Sequence, residues 1–214
     1  MSREIVVLIS GSGTNLQALI DAVNNKSLNA RIKLVISNRS KAFGLSRAQK
    51  AEIPTTTHIL KPYKDAQSQD ESGIRRAREH YDSDLADVIV SAKPELVVCA
   101  GWMHILSPIF LDKLRDAHVG IINLHPALPG QFDGANAIER AWEAGQKGEI
   151  IKSGLMVHWL IKEVDMGEPI LTQEIEIIKG ESLESFEERM HSIEHEIIVK
   201  GTEKALDILG LNNH

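Results

Sequence analysis

Residues 5–15 read Ile5-Val6-Val7-Leu8-Ile9-Ser10-Gly11-Ser12-Gly13-Thr14-Asn15, a continuous apolar run that ends in a glycine-rich turn. A run that is apolar at every position is typical of a strand buried on both faces, as in the parallel sheets of α/β proteins. After the turn, apolar side chains recur at helical spacing, at Leu16, Leu19, Ile20 and Val23. This stretch therefore predicts the first strand, turn and helix of an α/β fold.

Short apolar runs and helical patterns alternate along much of the remaining chain. We expect strands at residues 32–36, 55–59, 96–100 and 121–124, and helices at residues 43–51, 75–90, 107 onward and 135–144. Residues 60–72 are polar and have no clear period, so they predict a long surface loop. The alternation indicates a mostly parallel sheet with helices on both faces.

The C-terminal part departs from this alternation. Apolar runs at residues 155–161 and 170–178 are separated by only a short turn, which favours an antiparallel pair over a crossover connection. The last ~30 residues carry apolar side chains at helical spacing and predict one long amphipathic helix. The predicted fold class is α/β: a Rossmann-like, mostly parallel sheet flanked by helices, with an antiparallel C-terminal strand pair and a long C-terminal helix.

The composition is that of an ordinary globular chain, since 43% of the 214 residues are hydrophobic and 25% are charged. We predict one continuous domain over residues 1–214, because no repeat, linker or low-complexity tract divides the chain. The net charge of −6 argues against a protein that coats nucleic acid. No apolar run reaches the ~18 residues of a membrane span, and the single cysteine, Cys99, cannot form an intrachain disulfide. These features predict a cytoplasmic protein.

The glycine-rich turn is the first candidate for chemistry, since ligands of open α/β sheets bind at the carboxyl ends of strands. Gly11 and Gly13 let backbone N–H groups approach a ligand, and a helix N-terminus at Thr14 and Asn15 favours an anion such as a phosphate. Position 16 is leucine, so the third glycine of a dinucleotide fingerprint is missing. A tight turn without a ligand and an NADP- or nucleotide-binding module remain open as alternatives.

A second candidate is the strand end Asn123-Leu124-His125-Pro126. Alternation along a regular strand places Asn123 and His125 on the same side. Two such donors can stabilise an oxyanion that develops during acyl transfer. A nearby carboxylate, for which Asp165 is the candidate, can fix the tautomer or charge of the histidine. From these residues alone, a capping asparagine, a structural histidine and a plain turn at Asp165 stay open.

The other histidines give weaker signals. His158 lies within a predicted strand and is expected to be a core or supporting residue. His191 and His195 are four residues apart on the last predicted helix, but the His-Glu-x-x-His order of a zinc site is absent, so we predict no metal.

Taken together, the motifs resemble the folate-dependent phosphoribosylglycinamide formyltransferase family. The resemblance covers nearly the whole chain and rests on residues 5–11, 100–103, 123–129, 154–159, 164–169, 189 and 194–195. Asn-x-His-Pro with a downstream Asp-x-Gly belongs to the wider group of formyltransferases and deformylases, and the N-terminal Ser-Gly-x-Gly-x-Asn-Leu narrows the match. Residues 60–72, longer than in bacterial members, and the Leu128-Pro129-Gly130 loop resemble the monofunctional fungal form.

The resemblance implies transfer of a formyl group from 10-formyltetrahydrofolate, a co-substrate, to the amine of N1-(5-phospho-β-D-ribosyl)glycinamide in de novo purine biosynthesis. It also implies that Asn123, His125 and Asp165 are the catalytic residues. In that assignment Asn123 and a protonated His125 stabilise the tetrahedral oxyanion. Asp165 keeps His125 charged and helps to move the proton from the attacking amine.

The resemblance further assigns two binding regions. About residues 1–100 would hold the phosphate, and about residues 101–214 would hold the folate and the catalytic groups. The residues implied in ribonucleotide binding are Gly11, Gly13, Thr14, Asn15 and Glu194. Those implied in folate binding are Arg78, Met103, His104, Ile105, Leu106, Asn123, Ile161, Val164 and Asp165. His104 stands where bacterial members usually have arginine, which puts one folate contact in question.

Two alternatives to this interpretation remain. A formyltetrahydrofolate deformylase would use water as the acceptor, but an N-terminal regulatory domain would be expected there. A nucleotide- or NADP-binding module would use the glycine-rich turn alone. The expected partners are small-molecule substrates, with no nucleic acid and no membrane, and both a monomer and a homodimer are open.

Overall fold

The computed structural model describes residues 3–212. Within these residues the strands are β1 (Arg3–Ile9), β2 (Ala30–Ser37), β3 (Thr55–Thr57), β4 (Leu96–Cys99), β5 (Gly120–His125), β6 (Lys152–Trp159) and β7 (Pro169–Glu176). The helices are α1 (Thr14–Asn24), α2 (Phe43–Lys50), α3 (Lys61–Asp65), α4 (Glu71–Ala92), α5 (Pro108–Asp116), α6 (Ala137–Lys147) and α7 (Leu183–Asn212).

The seven strands found in residues 3–212 form one sheet, in the order β3-β2-β1-β4-β5-β6-β7. β1 to β5 are parallel to their neighbours, whereas β6 runs antiparallel to β5, and β7 runs antiparallel to β6. A parallel neighbour requires a crossover, which the helices between the first five strands supply, while residues 160–168 join β6 to β7 without a helix. The predicted fold class, including the antiparallel pair and the long last helix, is confirmed.

β1 is buried on both faces, as its uniformly apolar sequence predicts. Ile5, Val7 and Ile9 belong to a first hydrophobic cluster, to which α1, α2, α6 and α7 contribute. Val6 and Leu8 belong to a second cluster, to which α4 and α5 contribute. Fully burying a side chain of this size contributes about 1.5–3 kcal/mol. The strand that ends at the glycine-rich turn is therefore fixed by both layers of helices.

The prediction of a long loop over residues 60–72 is wrong in part. A short helix, α3, occupies Lys61–Asp65, and α4 begins at Glu71, earlier than predicted. A helix of little more than one turn shows no hydrophobic period, so the sequence pattern misses it. The Tyr63 ring of α3 packs edge-on against Tyr81 of α4, with ring centroids 5.5 Å apart. This contact fixes the segment on the second hydrophobic cluster.

Helix α7 is the longest described helix and packs along the sheet. Phe186, Met190, Ile197 and Ile198 are buried in the first hydrophobic cluster, while Glu188 on the opposite side is exposed. Its pattern therefore follows the amphipathic period that the sequence predicts. Across residues 3–212, no helix has the combination of length and apolar sequence that crossing a membrane requires.

Candidate active site

The site lies where the carboxyl ends of β1, β4 and β5 meet at one edge of the sheet. Two hydrogen bonds join the turn after β1 to the segment after β4. The Ser10 N–H donates to the Gly101 carbonyl at 3.1 Å, and the Ser10 hydroxyl accepts from the Met103 N–H at 2.8 Å. β5 lies beside β4 and ends at His125. The glycine-rich turn, the segment after β4 and the end of β5 therefore share one edge, the usual ligand side of such a sheet.

Three of the predicted side chains meet at the end of β5. The Nδ1 atom of His125 lies 3.3 Å from Oδ2 of Asp165, and Nδ2 of Asn123 lies 3.5 Å from Oδ1 of the same carboxylate. Asn123 and His125 extend from the same side of the strand, as alternation predicts. Asp165 comes from the connection between β6 and β7, so only the folded chain brings it to the other two.

His158 belongs to the same cluster, where it is buried beside Asn123 and Asp165, in agreement with the core or supporting role that its sequence predicts. It pairs across the sheet with Asn123, because β6 runs antiparallel to β5 in this register. Its Nδ1–H donates to the Trp159 carbonyl at 2.9 Å, which leaves Nε2 as an acceptor in the neutral ring. Nε2 lies 3.4 Å from the Asn123 amide nitrogen and 3.5 Å from Oδ1 of Asp165. No sequence signal gives this register, so the place of His158 could not be predicted.

Asp165 has an unusual backbone conformation. Its φ is +55°, in the left-handed region that few residues other than glycine occupy. Gly167 packs against the end of β6 so closely that a Cβ would lie 1.6 Å from the Trp159 carbonyl oxygen. The Gly134 N–H donates to Oδ2 of Asp165 at 3.0 Å. The turn stores backbone strain and holds the carboxylate against His125, which is typical of a functional site.

The charge states of this pair follow from burial and from neighbouring groups. Burial lowers the pKa of His125, and although the Asp165 carboxylate opposes this, the pKa lies below its ordinary value of 6.5. Burial acts to raise the pKa of Asp165, but the His158 ring, which donates from Nε2 when protonated, the Gly134 N–H and the charge of protonated His125 hold it below its ordinary value of 3.8. At pH 7 the resting site therefore holds a neutral His125 beside an ionised Asp165.

The neutral state of His125 corrects the expectation that Asp165 keeps this ring charged. In a neutral imidazole one nitrogen carries a hydrogen and the other accepts. Nδ1 faces the carboxylate and so carries the hydrogen, which leaves the lone pair on Nε2. This Nε2 is buried and has no hydrogen-bond partner among residues 3–212. His125 can therefore take a proton from a substrate at Nε2, and Asp165 is placed to pair with the resulting imidazolium.

The free energy of unfolding should fall as the pH drops below about 6.5, because the unfolded chain protonates His125 there and the folded chain only at lower pH. We expect a smaller loss of stability between about pH 7 and pH 5 in His125→Gln than in the unmodified protein. Urea unfolding at each pH measures the two slopes. His118→Gln, at an exposed histidine, is the matched control. If His125→Gln and His118→Gln give the same slope, the lowered pKa is not a property of His125.

Gly13 shapes the turn before α1. Its φ is +71°, and a Cβ at this position would lie 2.5 Å from the Cα of Gly44 in α2. The Gly44 N–H also donates to the Gly11 carbonyl at 3.1 Å. Gly11 and Thr14 are exposed beside this packed turn. Position 13 therefore requires glycine, and the turn keeps a fixed shape at the N-terminus of α1, where an anion is favoured.

The residues implied in ribonucleotide binding are joined by a contact between α1 and α7. Nδ2 of Asn15 donates to Oε2 of Glu194 at 3.1 Å. Burial raises the pKa of Glu194, while the hydrogen bond from Asn15 and the nearby His191 and His195 oppose this rise. In residues 3–212, no group of three or more histidine, cysteine, aspartate or glutamate side chains is arranged to hold a metal ion. Glu194 and Asn15 thus form one polar contact between α7 and α1.

The residues implied in folate binding lie on α4, after β4, near the end of β5 and in the connection between β6 and β7. Nη2 of Arg78 donates to the Ile105 carbonyl, which joins α4 to the segment after β4. Met103 and Ile105 are 72% and 67% exposed, and Ile161 and Val164 are each 41% exposed. Exposed apolar side chains near a buried polar cluster suit a ligand with a flat apolar ring system.

Leu106 and His104 differ from the other members of this group. Leu106 is buried in the second hydrophobic cluster, so its side chain is part of the core. The His104 ring packs against Trp102 and Tyr81, with ring centroids 5.7 Å from each. Burial, aided by the charge of Arg78, lowers the pKa of His104 below 6.5, so this ring is neutral at pH 7. Position 104 therefore lacks the permanent charge that an arginine would supply.

Known proteins share both the sequence and the fold. The family model described as formyl transferase matches residues 3–202. The phosphoribosylglycinamide formyltransferase of Schizosaccharomyces pombe is 54% identical over 202 residues, which cover 94% of this chain and 95% of the relative. The Saccharomyces cerevisiae protein of the same name is 48% identical over 211 residues, with coverages of 96% and 98%.

The solved structure of glycinamide ribonucleotide transformylase 1 from Symbiobacterium toebii has a TM-score of 0.80 at 30% sequence identity. The match covers 94% of this chain and 86% of that one. The transformylase 1 structure from Geobacillus kaustophilus has a TM-score of 0.82 at 28% identity, with coverages of 96% and 100%. Because a family model and close relatives match almost from end to end, this chain belongs to the formyl transferase family.

Proposed function

We propose that this chain transfers the formyl group of 10-formyltetrahydrofolate to the amine of glycinamide ribonucleotide in de novo purine biosynthesis, and releases tetrahydrofolate. The observation that carries the proposal is the cluster of Asn123, His125 and Asp165 in a member of the formyl transferase family. Two fungal relatives that match over nearly their whole length are named phosphoribosylglycinamide formyltransferase. The folate is a co-substrate that is consumed in each turnover.

The reaction forms one C–N bond and breaks another. The amine nitrogen of the ribonucleotide attacks the formyl carbon, and the carbonyl oxygen becomes an oxyanion. Collapse of this intermediate breaks the bond between the formyl carbon and N10 of the folate. The proton that the amine loses balances the proton that N10 gains. The site must therefore stabilise an oxyanion and move one proton.

We infer that His125 moves the proton and that Asn123 helps to stabilise the oxyanion. The lone pair on Nε2 of His125 accepts the amine proton, and the ionised Asp165 stabilises the imidazolium, which then donates to the oxyanion or to N10. The two contacts of the Asn123 amide nitrogen, at 3.4 and 3.5 Å, are long for hydrogen bonds. Its amide can therefore turn toward a substrate oxygen at little cost.

We further propose that the two substrates bind to different parts of this edge of the sheet and meet at the catalytic cluster. The ribonucleotide phosphate binds at the turn that includes Gly13 and Asn15, and Glu194 accepts hydrogen bonds from the ribose hydroxyls. The folate lies against the exposed apolar side chains after β4, and the Arg78 guanidinium faces its carboxylates. The two hydrogen bonds between Ser10 of the glycine-rich turn and the segment after β4 support this arrangement, because they fix the two regions next to each other.

An assay of 10-formyltetrahydrofolate turnover, with and without glycinamide ribonucleotide, tests the proposed function. We expect tetrahydrofolate release to require the ribonucleotide, because its amine is the formyl acceptor. Release without the ribonucleotide would identify water as the acceptor and favour a deformylase. No release in either case, together with tight binding of NADPH, would favour an NADP-binding module.

A further inference from the structure

A buried carboxylate lies outside the catalytic cluster, in the middle of α4. Asp82 is 0% exposed. Its Oδ2 atom accepts two hydrogen bonds, from Nε of Arg78 at 3.1 Å and from the Ser107 N–H at 2.9 Å. Its Oδ1 atom is buried and has no hydrogen-bond partner among residues 3–212. One oxygen of this buried carboxylate therefore has hydrogen-bond donors in the protein, and the other has none among residues 3–212.

A buried charge of this kind is weak evidence for stability alone. Removing a carboxylate from water is unfavourable, and a well-packed apolar residue is often as stable at such a site. An apolar residue, however, could not accept from both Arg78 and Ser107. The burial of a carboxylate at position 82 is therefore better explained by the two groups that it orients, Arg78 and the Ser107 N–H, than by a contribution to the stability of the core.

Both donors belong to the region proposed to bind folate. Arg78 uses Nε for Asp82 and Nη2 for the Ile105 carbonyl, and its Nη1 makes no hydrogen bond within residues 3–212. Ser107 ends the segment that contains Met103 and Ile105 and precedes α5. One carboxylate oxygen thus fixes the orientation of a guanidinium and the end of the adjacent segment at the same time. The fixed guanidinium presents Nη1 for a ligand carboxylate.

We propose that Asp82 is a positioning residue for folate, which holds Arg78 and the segment after β4 in the arrangement that binds the co-substrate. This inference rests on the proposed function, since it takes the ligand of this region to be 10-formyltetrahydrofolate. Asp82 touches neither the reacting atoms nor the catalytic cluster. Its loss should therefore act on folate binding and leave the chemical step and the ribonucleotide site largely unchanged.

Steady-state kinetics of Asp82→Asn test the proposal. The substitution keeps the size of the side chain and removes its charge, so we expect the KM for 10-formyltetrahydrofolate to rise about tenfold or more. The kcat and the ribonucleotide KM should stay within about twofold. Asp87→Asn, on the same helix, removes an exposed carboxylate that pairs with Lys113 and should change none of these constants.

A second pair of variants covers the case in which Asp82→Asn does not fold. Ser107 has φ −75°, which proline adopts, and its side chain makes no capping hydrogen bond. Ser107→Pro deletes the N–H that Asp82 accepts, whereas Ser107→Ala keeps it. We expect the folate KM to rise in Ser107→Pro and not in Ser107→Ala.

The outcomes separate this inference from the proposed function. If the unmodified protein shows no ribonucleotide-dependent formyl transfer, the proposed function fails and the inference fails with it. If the unmodified protein is active and the folded Asp82→Asn and Ser107→Pro variants keep the normal folate KM, only the inference is overturned. A parallel fall in kcat and rise in both KM values, with a lower melting temperature, would assign Asp82 to stability alone.

Discussion

His125→Ala should lower kcat at least about 10³-fold, because this one ring supplies the proton acceptor of the site. Its Nε2 atom is buried and has no hydrogen-bond partner in the described part of the chain, and its Nδ1 is 3.3 Å from Oδ2 of Asp165. Alanine removes both of these ring nitrogens. The KM values should change far less than kcat, since the two substrates bind mainly to other elements. Formyl transfer at saturating concentrations of both substrates measures the effect.

Asp165→Asn gives the matched comparison for this loss. The imidazole remains, but it loses the carboxylate that raises its pKa and stabilises its charged form. We expect a kcat loss of about 10²-fold, smaller than that of His125→Ala, and little further loss in the double variant because the pair acts as a unit. Near-ultraviolet circular dichroism checks that each variant is folded. A folded His125→Ala enzyme with a near-normal kcat would remove His125 from the mechanism.

Asn15→Leu should raise the KM for glycinamide ribonucleotide by about 10- to 100-fold and leave the folate KM nearly unchanged. The substitution removes the amide beside the glycine-rich turn. It also removes the hydrogen bond at 3.1 Å that holds the pKa of Glu194 down. Loss of this bond raises the pKa of Glu194 further and so favours the neutral carboxyl, which is a weaker acceptor for ribose hydroxyls.

Asn24→Leu is the control for this variant, since it makes the same exchange at an exposed position on the same helix. It should leave both KM values unchanged. Initial rates measured over a grid of both substrate concentrations separate the two constants. Equal rises in the ribonucleotide and folate KM values of Asn15→Leu would contradict the assignment of the turn to the phosphate.

The fold could be predicted where one physical requirement controls a whole segment. The run at residues 5–9 is apolar at every position because it contacts two cores, as a strand buried on both faces requires. The shared side of Asn123 and His125 follows from strand alternation alone. The short connection between β6 and β7 excludes a crossover and so gives the antiparallel pair.

Other features depend on contacts between distant segments and leave no local signal. His158 joins the cluster only through the register between β5 and β6. Asp82 looks like an ordinary helical carboxylate until α4 is packed against the segment that ends at Ser107. His125 is neutral because burial lowers its pKa more than the carboxylate beside it raises it, and the depth of burial is a property of the fold. Residue types gave a hypothesis for this site's chemistry, but its charge state required the packed structure.

The contact between Asn15 and Glu194 joins positions 179 residues apart and has a consequence for synthesis of the protein. On the ribosome the glycine-rich turn and Asn15 are made early, while the carboxylate that pairs with Asn15 arrives only with α7. A nascent chain that ends before α7 lacks one half of this contact. It also leaves the apolar surface that α7 shares with α1 and the sheet exposed to water. Truncated products that end before α7 should therefore lack both this contact and a closed apolar core, so the folded site can form only once the chain is nearly complete.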